Sequence, residues 1–234
     1  MTLNIYRTAE ETCLHLAELL SRMAEKGANV ALSGGSTPKL LFRTIAEKYT
    51  QTDWSKIRFF WVDERMVPQT DDESNFGVFH RILIASGIVP ETSTFPVWYD
   101  PDEHRTLSAY DQSIRDQVPF ADGFPQFDLI ILGIGEDGHT ASIFPDNLSL
   151  FDTEDVVALA THPQSGQRRI TLTGGVINRA KEVVFLCTGA GKQAILDEVI
   201  HKKNLALPAT HVAPAGNLVY CLDEAAAGKK TVLS

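Results

Sequence analysis

Asp128-Leu-Ile-Ile-Leu-Gly-Ile-Gly-Glu-Asp-Gly-His139 is the stretch on which the fold turns. Leu129 to Leu132 are apolar at successive positions, which suits a strand buried on both faces, as in a parallel sheet covered by helices. The run then breaks into glycines and charges. The same order of events recurs along the chain. Asn29 to Leu32 runs into Ser33-Gly-Gly-Ser-Thr-Pro38, Ile57 to Val62 into Asp63-Glu-Arg65, and Glu182 to Cys187 into Thr188-Gly-Ala-Gly-Lys192. Between these runs the spacing predicts helices. Ala9 to Lys26 has Leu14, Leu16, Ala17, Leu20 and Met23 at helical spacing and stops at Gly27. Lys39 to Tyr49 follows Thr37 as cap and Pro38 as first helical residue. Ser74 to Ser86, Asp102 to Val118 and Lys192 to His201 are further helices, and Leu3 to Tyr6, Val156 to Ala160, Arg169 to Leu172 and Leu218 to Leu222 further strands. Pro119 to Phe127 reads as a loop. Strands alternating with helices give an α/β class with a mostly parallel, Rossmann-like central sheet.

The 234 residues suit a single α/β domain over 1–234, with or without a small subsidiary lobe. Hydrophobic residues make up 44% and charged residues 22%, as in an ordinary globular domain rather than a disordered one. A formal charge of -9 disfavours nucleic acid and anionic membranes as partners. Any bound anion must be held by local cations and amides against that field. Cys13, Cys187 and Cys221 are odd in number and widely spaced, which fits free thiols in a reducing compartment such as the cytoplasm. The N-terminal stretch has no signal-peptide pattern, and no apolar run is long enough to span a bilayer. The oligomeric state is left open, a monomer being compatible.

Four of the glycine-rich or charged clusters follow a strand directly. In a parallel sheet they emerge together outside the carboxyl ends of the strands, where open α/β sheets bind ligands. Ser33, Gly34, Gly35, Ser36 and Thr37 combine glycines, hydroxyls and a helix start, a pattern that suits either a phosphate or a plain strand-to-helix turn. Lys192 stands where a helix begins, and a bound anion would relieve its opposition to the helix dipole; a solvated surface lysine is the alternative. Arg65 can pair with Asp63 and Glu64 or grip a phosphate in two places. Arg168 and Arg169 sit near a strand start, where a solvated surface is the stronger reading from the residues alone. Gly133 to Gly138 matches Gly-x-Gly-x-x-Gly, but Glu136 and Asp137 inside the turn would repel a pyrophosphate, Pro145 cuts the helix short, and no acidic residue closes the next strand. A nicotinamide cofactor is therefore not expected. His139 remains, two residues after Asp137, the side chain best suited to move a proton near neutral pH. No spacing resembles a zinc site.

Taken together, Leu32-Ser-Gly-Gly-Ser-Thr-Pro38, Trp61-Val-Asp-Glu-Arg65, Val67-Pro68, Glu73-Ser-Asn75, Gly133-Ile-Gly-Glu-Asp-Gly-His-Thr-Ala-Ser-Ile-Phe-Pro145, Arg169-Ile-Thr-Leu-Thr173 and Thr188-Gly-Ala-Gly-Lys192 run in one order over nearly the whole chain. In these motifs the chain resembles the 6-phosphogluconolactonases, within the larger group that includes glucosamine-6-phosphate deaminases and ribose-5-phosphate isomerases. The resemblance implies a three-layer α/β/α fold without metal or organic cofactor. It implies hydrolysis of a small-molecule substrate, 6-phospho-D-glucono-1,5-lactone, the second step of the oxidative pentose phosphate pathway. By motif, His139 takes the general-base position with Asp137 beside it. Asp63, Arg65, Arg169, Lys192 and the Ser33 to Thr37 loop fall at positions associated with the substrate and its phosphate. The deaminase branch carries an Asn-Glu-Pro segment after the motif histidine. Here that stretch is Ser142-Ile-Phe-Pro145, without a carboxylate, which favours simple hydrolysis. A non-catalytic sugar-phosphate sensor is the non-enzymatic alternative, disfavoured by the presence of the histidine.

Overall fold

The computed structural model describes residues 1–228. In chain order the elements are β1 (Thr2–Tyr6), α1 (Ala9–Lys26), β2 (Ala28–Leu32), α2 (Ser36–Lys48), β3 (Ile57–Trp61), β4 (Asp63–Arg65), α3 (Asn75–Phe79), α4 (Glu103–Gln117), β5 (Phe120–Ala121), β6 (Phe124–Pro125), β7 (Leu129–Leu132), β8 (Val157–Thr161), β9 (Arg168–Leu172), α5 (Gly174–Ile177), β10 (Glu182–Cys187), α6 (Gln193–Leu196), β11 (Asn217–Asp223) and α7 (Glu224–Ala227).

Six strands form one sheet in the order β1-β11-β10-β7-β2-β3, every neighbouring pair parallel. Every residue of β2 and β7 is buried, as suits the apolar runs Val30 to Leu32 and Leu129 to Leu132. Successive side chains leave opposite faces and fill two cores. Val30, Leu32, Leu129 and Ile131 meet Leu16 and Leu20 of α1 and Leu41, Phe42 and Ile45 of α2. Ala31, Ile130, Leu132 and Phe185 face the other way, toward Tyr110 and Ile114 of α4, Val176 and Ile177 of α5, and Leu196 of α6. Each fully buried Leu, Ile or Phe contributes about 1.5–3 kcal/mol, so the two faces together hold the sheet in place.

A second, antiparallel sheet, β4-β9-β8, packs into that second core through Val157, Ile170 and Leu172. Val62 is the point of crossing. Its N–H donates to the Leu32 carbonyl of the main sheet (2.9 Å), and its own carbonyl accepts from Leu172 N–H of the second sheet (2.8 Å). Asp63 to Arg65, expected as a loop, is therefore a strand. Just before the crossing, the buried Tyr110 hydroxyl donates to the Trp61 carbonyl (2.6 Å) and accepts from Trp61 N–H (2.8 Å), closing the free edge of β3.

Other departures from the sequence expectations have local causes. Helix α2 begins at Ser36, two residues earlier than expected, because Gly35 caps it at φ 105, a value that glycine adopts freely. Thr37 does not cap; its Oγ1 lies 2.9 Å from Thr188 Oγ1 instead. The expected helix from Ser74 is α3 followed by a wider π-type turn over His80–Ile84. The expected helix from Lys192 starts at Gln193, after a tight turn over Ala190–Lys192. Within the expected loop 119–127, β5 and β6 pair as a short hairpin. No described helix is long and apolar enough to cross a membrane.

Candidate active site

A cavity of about 250 Å³ opens at the carboxyl ends of β2, β7 and β10. Its walls come from all four of the loop clusters that follow the apolar runs: Ser33 to Pro38, Asp63 and Arg65, Gly133 to Gly135 with His139, and Lys192. Arg169 and Asn75 complete it. Three cations and one carboxylate thus line the space, a local reversal of the chain's net negative charge.

His139 is held from behind. Its Nδ1 lies 2.5 Å from Asp137 Oδ1, and the same oxygen accepts the His139 backbone N–H at 3.1 Å. A carboxylate on Nδ1 selects the tautomer with the proton there and leaves Nε2 with its lone pair, the form a base needs. Burial alone would push the Asp137 carboxyl up, but the hydrogen bonds and charge of His139 outweigh it and hold it below the usual carboxylate value. The turn is shaped for this pair. A Cβ on Gly135 would stand 2.2 Å from the imidazole and 2.7 Å from Asp137 Oδ1. Phe144, fully buried, packs its ring 4.9 Å from that of His139.

Opposite, the first turn of α2 has no acidic residue and no side-chain cap. Its leading amides carry the positive end of the helix dipole. Beside it, the antiparallel register sets Arg65 directly across from Arg169. Like charges placed so are unfavourable unless an anion joins them. Arg65 donates from Nη1 to the Glu73 carbonyl, while its Nε is buried with no hydrogen-bond partner among the described residues. Burial lowers the pKa of Arg169, and the Asp63 carboxylate, 3.8 Å away, opposes that shift. Lys192 reaches in from the β10 side and donates to the Ile134 carbonyl at 2.7 Å.

The family model for glucosamine-6-phosphate isomerases/6-phosphogluconolactonase matches residues 5–220. The chain belongs to this family. It is 42% identical to 6-phosphogluconolactonase of Treponema pallidum over 180 residues, 76% of this chain and 75% of the relative. It is 39% identical to that of Haemophilus influenzae over 85% of each chain, and 33% identical to that of Homo sapiens over 98% of this chain and 94% of the relative. The solved structure of 6-phosphogluconolactonase from Trypanosoma brucei superposes with a TM-score of 0.87 at 27% identity, covering 99% of this chain and 98% of that one. The three-layer α/β/α architecture with a parallel central sheet is thus the fold of the 6-phosphogluconolactonase family.

Within this family member, the candidates singled out by sequence divide. His139, Arg65, Arg169, Lys192 and the Gly34 to Thr37 turn face the cavity together. Arg168 does not; it forms a two-pronged pair with Glu103 (2.8 and 2.9 Å) on the far side of the strand. Ser33 lines the wall, but its hydroxyl donates to the Ile131 carbonyl (2.7 Å) and serves the sheet. The Gly189 N–H is taken by Asp223, so the 188–192 turn offers its lysine rather than that amide. Asp63 accepts from the Ser142 hydroxyl at 2.7 Å and lies behind Arg169, which makes it a support for a cation.

Two participants were not singled out. Asn75 lines the cavity, donates to the Asp63 carbonyl (2.9 Å) and sits so close to Gly34 that a Cβ there would fall 1.7 Å from its Oδ1. Glu64 is buried beneath it and accepts from the N–H groups of Arg65, Asn75 and Phe76 and from the Ser74 hydroxyl. Burial pushes its carboxyl up, and the backbone donors pull against that. The motif Glu73-Ser-Asn75 carried the signal for Asn75. Nothing in the local sequence marks Glu64 as buried.

Proposed function

We propose that the chain hydrolyses 6-phospho-D-glucono-1,5-lactone to 6-phospho-D-gluconate in the cytoplasm, with His139 as general base and without a cofactor. The observation that carries this is the His139–Asp137 pair at 2.5 Å on one side of a cavity whose other walls hold Arg65, Arg169 and Lys192. A base and an anion cradle on one small space suit a substrate with a reactive carbonyl at one end and a phosphate at the other.

The phosphate binds to the cations and the first turn of α2, and this fixes the lactone carbonyl near His139. Nε2 takes a proton from water as the water oxygen bonds to the carbonyl carbon. The resulting oxyanion develops in the field of the surrounding cations. When the tetrahedral carbon expels the ring oxygen, the imidazolium returns its proton to that oxygen. The ring opens to a hydroxyl and a carboxylic acid, which ionises. Asp137 keeps the imidazole in one tautomer and stabilises its charge between the two transfers.

The test is acid release from freshly made lactone, measured above its spontaneous hydrolysis. His139→Ala should lower kcat by about 10²–10⁴-fold, the usual contribution of general acid–base catalysis, with little change in affinity for the product. Turnover near that of the parent protein would remove His139 from the reaction.

A further inference from the structure

We propose that Gln167 is a positioning residue that aims the Arg169 guanidinium at the substrate phosphate. This rests on the lactonase function above and adds a residue that no motif in the sequence marked.

Arg169 has five N–H groups in a rigid fork. Nε and Nη2 both donate to Gln167 Oε1, at 3.3 and 3.1 Å. Nη1 is engaged on the opposite side, 3.4 Å from Ser142 Oγ and 3.8 Å from Asp63 Oδ2. The guanidinium also lies over the Phe144 ring, 5.8 Å from its centre. With both long edges held and one face covered, two N–H bonds remain, one on each terminal nitrogen. They point the same way, along the end of the fork, and that pair can meet two oxygens of a phosphate.

The end group of Gln167 suits the place for a specific reason. Its oxygen faces the arginine, and its Nε2 donates to Glu73 Oε2 at 3.0 Å. One amide therefore accepts from a cation and donates to an anion. A carboxylate would oppose Glu73, and an apolar chain would serve neither partner. The residue is itself fixed, since its carbonyl accepts from His162 N–H at 2.9 Å and its N–H donates to Ser165 Oγ at 3.3 Å. Glu73 in turn belongs to the segment whose carbonyl receives Arg65. Gln167 thus ties the two opposed arginines to one scaffold.

Gln167→Met keeps the length and removes all three side-chain hydrogen bonds. Freeing one rotamer-rich side chain that binding must then immobilise corresponds to about a five-fold rise in KM, with kcat within about two-fold. The preference for the phosphorylated over the unphosphorylated lactone should fall by the same factor. Added to Arg169→Ala, the same change should do nothing more to KM. Gln167→Ala serves as a second variant, and thermal melts of all variants check the fold. If Arg169→Ala raises KM but neither Gln167 variant does, the positioning role is wrong and the lactonase function stands. A fall in kcat with KM unchanged also overturns it, as does an equal rise in KM when Arg169 is already absent. If Arg169→Ala leaves KM unchanged, Arg169 does not hold the phosphate and the positioning role falls with it; if the parent protein releases no acid from fresh lactone above the spontaneous rate, the functional proposal itself fails.

Discussion

Gly135→Ala isolates the geometry of the His139–Asp137 pair, to which we assign the proton transfers. Gly135 does not have a positive φ, so alanine is compatible with its backbone. The cost is steric. The new Cβ would lie 2.2 Å from the His139 ring and 2.7 Å from Asp137 Oδ1, whereas ordinary contact begins near 3.4 Å. The imidazole must therefore retreat by about 1.2 Å, or swing off Asp137. A displacement of about 1 Å in a catalytic group costs roughly 10²-fold, equivalent to about 2.7 kcal/mol in the barrier. We expect kcat to fall by about 10²-fold, KM to hold within about three-fold, and the double variant with His139→Ala to be no slower than His139→Ala alone. The assay is pH-indicator detection of acid release from fresh lactone, with ring-proton NMR of His139 as a direct monitor. A Gly135→Ala protein that retains half of the parent kcat would show that the position of the imidazole does not limit the reaction.

Tyr110→Phe should reduce unfolding free energy by about 1–3 kcal/mol, because Trp61 N–H and C=O lose their buried partner; for a chain of this size each kcal/mol lowers Tm by about 2–4 °C, and an unchanged melt would contradict the edge-closing role given to Tyr110. The lowered Asp137 pKa has a sign that can be checked. A carboxyl depressed in the folded state adds stability above its ordinary value of 3.8, and this is lost as pH falls through the folded value. Asp137→Asn should therefore show less loss of stability across that acid range than the parent, and coincident acid-unfolding curves would refute the shift.

The parallel sheet was legible because β2, β7 and β10 are apolar at consecutive positions and each is followed by a cluster of glycines or charges. Helix α1 matched its expected span, Ala9–Lys26, since both its stop at Gly27 and its spacing are local signals. The antiparallel sheet was hidden. Asp63, Glu64 and Arg65 carry three charges, no alternation announces a strand, and their pairing partner lies about a hundred residues away. The His139 and Asp137 pair was readable from a two-residue spacing. The choice between Arg168 and Arg169 was not, because it depends on which face of β9 meets β4. The Ser33 hydroxyl looked available until the Ile131 carbonyl was found within its reach. Long-range pairing, which leaves no periodicity behind, accounts for each of these gaps.

The register between β4 and β9 makes neighbouring arginines unequal. Slipping β9 by one residue would turn every side chain on it to the other face. Arg168 would then take the slot of Arg169 at the ligand space, Arg169 would be driven into the slot of Ile170 on the core side, and Ile170 would leave the core. Two adjacent identical residues thus give no redundancy. The turn at 162–167, though exposed, has a length that cannot drift freely, because it sets which of two otherwise equal charges becomes part of the binding surface and which merely decorates the outside.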